Sequence, residues 1–166
     1  MKTIEITDYE KIESLIAKSK TCYIALCGTD GMPYVLPMNF AYKEGAFYLH
    51  SGQHGRKADI LKQNRRICIC IATEGELVWQ HPDVACSYSM RSQSLIAEGK
   101  VEFVDDFDQK TEALNIFMHH YTRRRFGYSA PAVNNVLVWR VKPDKISCKA
   151  FGLRPKRYNS NNEGDI

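Results

Sequence analysis

The sequence lacks the features that mark a membrane-spanning, exported or repetitive protein. It contains no apolar run of about 18 residues, the length that a transmembrane helix needs. Its first residues include no apolar segment of the kind found in a signal peptide, and no repeat or low-complexity segment is present. We therefore expect a cytoplasmic protein that makes no membrane contact.

A strong excess of one charge sign is also missing. Lysine and arginine together number 23 against 19 aspartates and glutamates, which gives a net charge of +4. Nucleic-acid-binding proteins carry a stronger basic bias, and here the basic residues do not alternate with aromatic residues along a strand. Nucleic acid is therefore not an expected partner, and a small anionic ligand fits this charge balance better.

The six cysteines have neither the spacing of a metal site nor the placement of a disulfide framework. No CxxC pair or matching histidine pair indicates zinc, so we predict no metal site. Most of the cysteines lie in apolar segments typical of strands, which predicts reduced core residues. They are Cys22, Cys27, Cys68, Cys70, Cys86 and Cys148.

Composition and length predict one globular domain. The chain has 166 residues, of which 44% are hydrophobic and 25% charged, so it can bury a core of its own. We place this domain at residues 1–158. The small polar residues of 159–166 predict a disordered tail.

Segments rich in β-forming residues and separated by turn signals dominate the chain. They predict strands at 21–27, 34–42, 46–50, 67–72, 94–104, 135–141 and 145–150. A turn at Pro143–Asp144 is expected between the last two, and Gly99 predicts a bend within the longest. Residues 79–90 predict a loop or an irregular strand.

Apolar residues at helical spacing predict three helices, at about 8–19, 56–64 and 107–121. Thr7 and Glu10 have the spacing of a capping box at the start of the first helix. Many antiparallel strands with so few helices predict a mainly β fold, a β-barrel with peripheral helices.

The most informative segment for chemistry is His50–Lys57, where a strand ends and a helix begins. Arg56 and Lys57 fall in the first turn of that helix, where the helix dipole disfavours cations unless an anion joins them. Free backbone N–H groups, a guanidinium and an ammonium together form a competent phosphate site. On local sequence alone, two solvated surface residues explain the pattern at least as well, because Gly-Arg-Lys triplets are common.

Several segments together resemble one known family. Residues 22–40, Phe47–Ser51, and Gly55–Lys57 closely resemble the FMN-binding split-barrel family. Within that family, the chain is similar to the branch related to pyridoxamine 5'-phosphate oxidase that includes the nitroimidazole-resistance proteins. The resemblance covers roughly residues 8–150 and depends on the order and spacing of its motifs.

The resemblance implies a six-stranded antiparallel split barrel that forms a homodimer, with one FMN in each of two clefts at the subunit interface. It also implies a set of cofactor-binding residues, which runs from the flavin ring to its phosphate. These residues are Pro37, Met38, Asn39, Phe40, His50, Ser51, Gly55, Arg56, Lys57 and Ser94.

His50 is the candidate catalytic residue of this set. At the flavin edge it could donate a hydrogen bond to a flavin carbonyl or to a substrate, and an imidazole exchanges protons near neutral pH. A strand-end histidine with a purely structural hydrogen bond is the alternative.

The function implied is an FMN-dependent oxidoreductase. It would take electrons from a small-molecule donor such as a reduced nicotinamide and pass them to a small acceptor, such as a nitroaromatic or nitroimidazole compound. The chain lacks the C-terminal Arg-x-His signature of the oxidase that names the branch, since residues 147–152 read Ser-Cys-Lys-Ala-Phe-Gly, so vitamin B6 oxidation is not expected. A flavin- or haem-binding storage protein without turnover is the alternative.

Overall fold

The computed structural model describes residues 2–153, so the predicted tail at 159–166 lies outside the described residues. The strands are β1 (Lys2–Glu5), β2 (Cys22–Cys27), β3 (Pro33–Met38), β4 (Ala41–Lys43), β5 (Ala46–Gly52), β6 (Arg66–Ala72), β7 (Glu76–Val78), β8 (Ser89–Val104) and β9 (Val136–Leu153). The helices are α1 (Tyr9–Lys18), α2 (Arg56–Gln63), α3 (Phe107–Thr122) and α4 (Ala130–Asn134), with a short 3-10 turn at Ala85–Ser87.

The strands form one curved antiparallel sheet in the order β3-β2-β6-β8-β9-β5-β4, with β1 paired to β9 and β7 paired to β8. The predicted mainly β fold with peripheral helices is confirmed. The sheet has nine strands, whereas the resemblance implied six, because the short strands β1, β4 and β7 are added to a six-stranded set.

The predicted strand 34–42 is divided in two. β3 ends at Met38, and the backbone N–H of Phe40 donates to the Tyr121 hydroxyl at 2.9 Å instead of to a strand partner. The chain then pairs with β5, where Ala41 lies opposite Tyr48. The division therefore marks the crossing from one edge of the sheet to the other.

The predicted turn at Pro143–Asp144 is wrong, because β9 runs through it without a break. Glu98 lies opposite Lys145 and Gly99 opposite Pro143, so the register shifts at Asp144. This β-bulge accommodates a proline that cannot donate to the ladder. A Cβ on Gly99 would lie 3.1 Å from the Lys142 carbonyl oxygen, so a larger residue here would crowd the bulge.

The helices begin close to their predicted positions. The cap of α1 is Asp8, whose carboxylate accepts from the backbone N–H groups of Glu10 and Lys11, so the capping box expected from Thr7 is one residue off. Asp106 caps α3 in the same way. The five-residue helix α4 was not predicted.

The core lies inside the curved sheet and is closed by the helices. Its largest fully buried side chains include Trp139, Phe40 and Phe47. All six cysteines are free, and Cys22 and Cys148 are buried, but the prediction of core residues is wrong for Cys27 and Cys86, which are exposed. The remaining two, Cys68 and Cys70, are half-buried.

Among residues 2–153, no helix is both long enough and apolar enough to cross a membrane.

Candidate functional site

The start of α2 forms what we call the helix end of the site (Gly55, Arg56 and Lys57). Gly55 has a φ of 106°, which residues other than glycine rarely adopt. It is the N-cap residue of α2, and no side chain of the described residues donates or accepts a capping hydrogen bond there. The first backbone N–H groups of α2 therefore point away from the helix without a side-chain cap. Such a helix start binds anions.

Both cations of the helix end remain available for a ligand. Within residues 2–153, neither Arg56 nor Lys57 forms a salt bridge. The nearby carboxylate of Asp59 pairs with Lys62 at 3.6 Å. Arg56 is exposed and Lys57 is half-buried.

Arg56 connects the helix end to strand β3. Its guanidinium lies 4.5 Å from the centre of the Tyr34 ring, a cation–π contact. Tyr34 lies on β3, which pairs with β2 alone and leaves its other backbone edge open within the described chain. The structure therefore brings a cationic helix start next to an unpaired strand edge.

Pro37 and Met38 lie further along the same strand. Pro37 is exposed and Met38 is half-buried against the core. Pro37 follows Tyr34 by three positions along the strand, which is about 10 Å at the usual rise per residue. The predicted residues of β3 and of the helix end thus follow one line along the edge of the sheet.

Asn39 and Phe40 differ in what they can offer a ligand. Asn39 is exposed and donates from Nδ2 to the Lys20 carbonyl at 3.2 Å. The Phe40 ring is fully buried in the core, 5.8 Å from the ring of Phe47. The backbone N–H and carbonyl of Phe40 are both hydrogen-bonded to the Tyr121 hydroxyl. Asn39 can therefore reach a ligand with its side chain, whereas Phe40 is a core residue, a distinction that the sequence pattern did not make.

We call His50 and Ser51, at the end of β5, the histidine end of the site. The His50 ring packs edge-on against Phe117 of α3, with 4.4 Å between ring centres. Its Nδ1 is buried with no hydrogen-bond partner among the described residues. Ser51 is buried as well and donates to the Gly52 carbonyl at 2.8 Å.

Burial lowers the pKa of the His50 imidazole from its ordinary value near 6.5, because the charged form loses its hydration. The side chain is therefore neutral at neutral pH. A neutral imidazole can donate or accept a hydrogen bond, but it holds no extra proton to deliver. The sequence suggested that His50 exchanges protons near neutral pH. The lowered pKa instead favours a role as a neutral hydrogen-bonding group there.

Ser94 does not lie near the helix end within one chain. It pairs with Ala72 at the far end of β6, whereas Tyr34 and Arg56 lie level with the start of β6. The two levels are about five residues apart, or roughly 16 Å along the strands. The predicted role of Ser94 near a phosphate would need a second copy of the chain.

Sequence reasoning did not identify two side chains that shape the site, Tyr34 and Phe117. Tyr34 supports Arg56 and Phe117 covers His50, and both contacts join elements that are distant in sequence. The only sequence signal was the helical spacing that puts Phe117 and Tyr121 on one face of α3. That spacing predicts a buried face without saying what the face covers.

A separate cavity of about 620 Å³ lies between α1, the β4–β5 turn and α3, and contains none of the predicted site residues. Its lining includes the basic residues at the end of α3, His119, His120, Arg123 and Arg125. Arg125 pairs with Glu112 at 2.5 Å, so part of this charge is neutralised. No group of three metal-ligating side chains occurs among the residues that the structure describes.

Comparison with known proteins decides the family. A family model described as pyridoxamine 5'-phosphate oxidase matches residues 8–150. The chain belongs to the pyridoxamine 5'-phosphate oxidase family. The matched range is the range over which the sequence resemblance was seen, so that identification is confirmed. A search of curated proteins gave no significant match.

Solved structures support the same fold. A candidate 5-nitroimidazole antibiotic resistance protein from Bacteroides thetaiotaomicron is 46% identical, with 90% of this chain and 87% of that chain covered and a TM-score of 0.83. An FAD- and haem-binding protein from Mycobacterium smegmatis is 17% identical, with 89% and 74% covered and a TM-score of 0.79. An FAD-binding protein from Mesorhizobium loti is 20% identical, with 92% and 100% covered and a TM-score of 0.66.

At these low identities the last two neighbours show the fold alone, which confirms the split-barrel type. By their descriptions both bind a flavin. Flavin binding therefore occurs on this fold among the structures that the chain resembles.

Proposed function

We propose that the protein binds FMN and passes electrons from a reduced nicotinamide, or a donor of similar chemistry, to a small acceptor such as a nitroaromatic compound. One observation carries this proposal: an unpaired cationic helix start lies in contact with an open strand edge, through Arg56 and Tyr34. A single phosphate fits the helix start, and an extended ring system fits the strand edge.

The helix end suits the phosphate of FMN in charge and geometry. A nearly dianionic phosphate would accept from the free N–H groups of α2, from the planar fork of Arg56 and from the ammonium of Lys57. Gly55 has no side chain, so the phosphate can approach its backbone closely, and its φ of 106° is one that other residues rarely adopt. One helix start with two cations matches one phosphate, which favours FMN over a dinucleotide.

The edge of β3 suits the ring end of the cofactor. A flavin ring is apolar with polar rims, so it binds well beside backbone donors and acceptors and half-buried apolar side chains. Pro37 removes one N–H from this edge, while Met38 supplies apolar contact. His50, neutral and held by Phe117, would provide a hydrogen-bond donor near the flavin edge.

We also propose that the functional unit is a homodimer with the cofactor at its interface. The outer sheet face (Tyr23, Val35, Cys68, Cys70 and Ile96) presents apolar side chains on β2, β3, β6 and β8. Tyr23 is 49% and Val35 is 61% exposed, so the two outermost strands on this side of the sheet, β2 and β3, carry an uncovered apolar surface. A second copy would bury this face beside the open edge of β3.

When bound, FMN would supply the redox chemistry, and the chain would bind, orient and shield it. Likeness to the candidate 5-nitroimidazole resistance protein supports a nitro compound as acceptor. The missing Arg-x-His signature argues against vitamin B6 oxidation. The compartment would be the cytoplasm, which supplies reduced nicotinamides and keeps free thiols reduced.

The experiment is anaerobic reduction of the FMN-loaded protein by NADH or NADPH, followed by a nitroimidazole or a quinone. We expect the flavin absorbance to bleach with one donor and to return on addition of an acceptor. If FMN is bound but no donor reduces it, the protein binds or stores flavin and the oxidoreductase proposal is wrong. His50→Ala should keep FMN and change the reduction or reoxidation rate; equal rates would make His50 structural.

A further inference from the structure

Residues 73–90, which we call the arm, project from one end of the sheet as β7, the 3-10 turn and the start of β8. The arm exposes large apolar side chains that its own chain leaves uncovered. Their exposed fractions lie between 37% and 54%, and they are Leu77, Trp79, Val84, Tyr88 and Met90. A short segment with so much exposed apolar surface marks an interaction site.

The arm is internally held. Trp79 and Tyr88 stack with 5.5 Å between ring centres and 20° between planes, and the Tyr88 hydroxyl donates to the Pro82 carbonyl at 2.8 Å. At its base, Arg91 pairs with Glu76 at 3.0 Å. The aromatic pair is therefore presented in a fixed arrangement, which reduces the entropy lost on binding.

The arm begins at the end of the sheet where the ring end of the cofactor is proposed. Its base follows the pair formed by Ala72 and Ser94, and Tyr23 on β2 lies opposite both Cys70 and Pro37. In the same chain, however, β2 and β6 separate β8 from β3. That is about 14 Å at the usual spacing between strands.

We propose that the arm of one copy covers the flavin ring bound by a second copy, with the Trp79–Tyr88 pair against the ring. The inference rests on the proposed function, since it needs bound FMN and a dimer. If the outer sheet faces of two copies pack together, both that face and the arm are buried in one interface. The arm then reaches the partner's flavin without crossing β2 and β6 of its own chain.

Charge supports a second copy as the occupant. The arm contains Glu74, Glu76 and Asp83 and no lysine or arginine, in a chain whose net charge is +4. Lys145 and Lys149 of β9 are exposed on the same side of the sheet as the outer sheet face. Glu76 is already paired with Arg91, and Lys145 lies opposite the exposed Glu98, so the pairing left for a second copy is between Glu74 or Asp83 of the arm and Lys149. These carboxylates would also favour the neutral ring over the anionic phosphate.

Tryptophan emission tests the contact, because the chain has two tryptophans and only Trp79 is exposed. FMN should quench the Trp79 emission, measured as the difference between the wild type and Trp79→Phe. Trp79→Ala should weaken FMN binding about tenfold, as expected for lost ring stacking. Phe107→Ala, which removes an equally exposed aromatic ring outside the arm, is the matched control and should leave affinity unchanged.

A mixed dimer shows which copy supplies the arm. One copy carries Arg56→Ala and Lys57→Ala, the other carries Trp79→Ala and Tyr88→Ala, and the pair is isolated by two different tags. If the arm acts on the partner, the mixed dimer has one intact site and binds half as much FMN as the wild type with wild-type affinity.

If the mixed dimer has no tight site although the wild type does, the arm acts within its own chain, and the inference is overturned. If Trp79→Ala in both copies binds FMN as tightly as the wild type, the arm does not act on the flavin, and the inference is overturned as well. Unquenched Trp79 in the FMN-loaded wild type overturns it too. If the wild type binds no FMN, the proposed function itself is wrong, which is a separate result.

Discussion

The helix end and the histidine end of the site obtain their properties in different ways. Arg56 and Lys57 are accessible and unpaired within the described chain, and their chemistry follows from a local sequence of glycine and two cations at a helix start. His50 lies under α3, and its neutral state follows from burial against Phe117. A charged site is visible in local sequence, whereas a tuned imidazole depends on tertiary packing.

Removing both cations tests the helix end and should have the largest effect. Arg56→Ala with Lys57→Ala should weaken FMN binding by about 3–5 kcal/mol, because each charge-assisted hydrogen bond contributes about 1.5–3 kcal/mol. Titration by flavin fluorescence measures the affinity. Lys62→Ala is the control on the same helix, since its ammonium pairs with Asp59. An unchanged affinity in the double variant would move the phosphate elsewhere.

Phe117→Ala tests the histidine end. Deleting a buried phenylalanine side chain should lower the free energy of unfolding by about 3 kcal/mol, measured by urea denaturation. Water admitted to the gap should also raise the pKa of His50 towards its ordinary value, which a proton NMR titration of the ring measures. Phe117→Leu should keep most of both properties. A pKa that does not move would show that Phe117 does not set the state of His50.

The same contrast explains what the sequence could predict. The alternation of apolar and polar residues and the turn residues identify most strands, and capping residues locate the starts of α1 and α3 closely. The continuous β9 was missed, because Pro143–Asp144 is a turn signal that a bulge opposite Gly99 overrides. The continuity of β9 depends on its pairing register with β8, and that register depends on residues distant in the sequence.

For the site, the sequence predicted the residues of the helix end and of β3 but not their environment. Phe40 and Met38 look alike in the sequence, yet Phe40 is fully buried and Met38 is half-buried at the edge. The cover over His50 and the support under Arg56 come from contacts between distant elements. Ser94 shows the same limit, since its register leaves it far from the helix end of its own chain.

Tyr34 tests how much tertiary support the helix end needs. Tyr34→Ala removes the ring under Arg56 and should weaken FMN binding by about 0.5–1 kcal/mol, the usual range for an exposed cation–π contact. Tyr34→Phe keeps the ring and should bind like the wild type. A loss as large as that of the double cation variant would show that FMN binding by the helix end depends on this tertiary contact more than on its local sequence.

The smallest expected effect is a pH dependence of stability from His50. Its pKa in the folded state is below the unfolded value near 6.5, so the unfolded state binds more protons in this range. The contribution of the neutral His50 to the free energy of unfolding should be fully present above about pH 6.5 and should decrease as the pH falls below that value. His50→Leu should reduce that slope, and the part that remains should include His120, whose pKa burial also lowers. An unchanged slope in His50→Leu would contradict the buried, neutral imidazole.

The central claim is that the cationic start of α2 and the open edge of β3 together hold one FMN per chain. Equilibrium titration of the purified protein with FMN, followed by flavin fluorescence and visible absorbance, tests it most directly. The account predicts saturation at one FMN per chain, with affinity that depends on Arg56 and Lys57. A protein that gains no flavin spectrum, or one that binds FMN equally well without these cations, would contradict it.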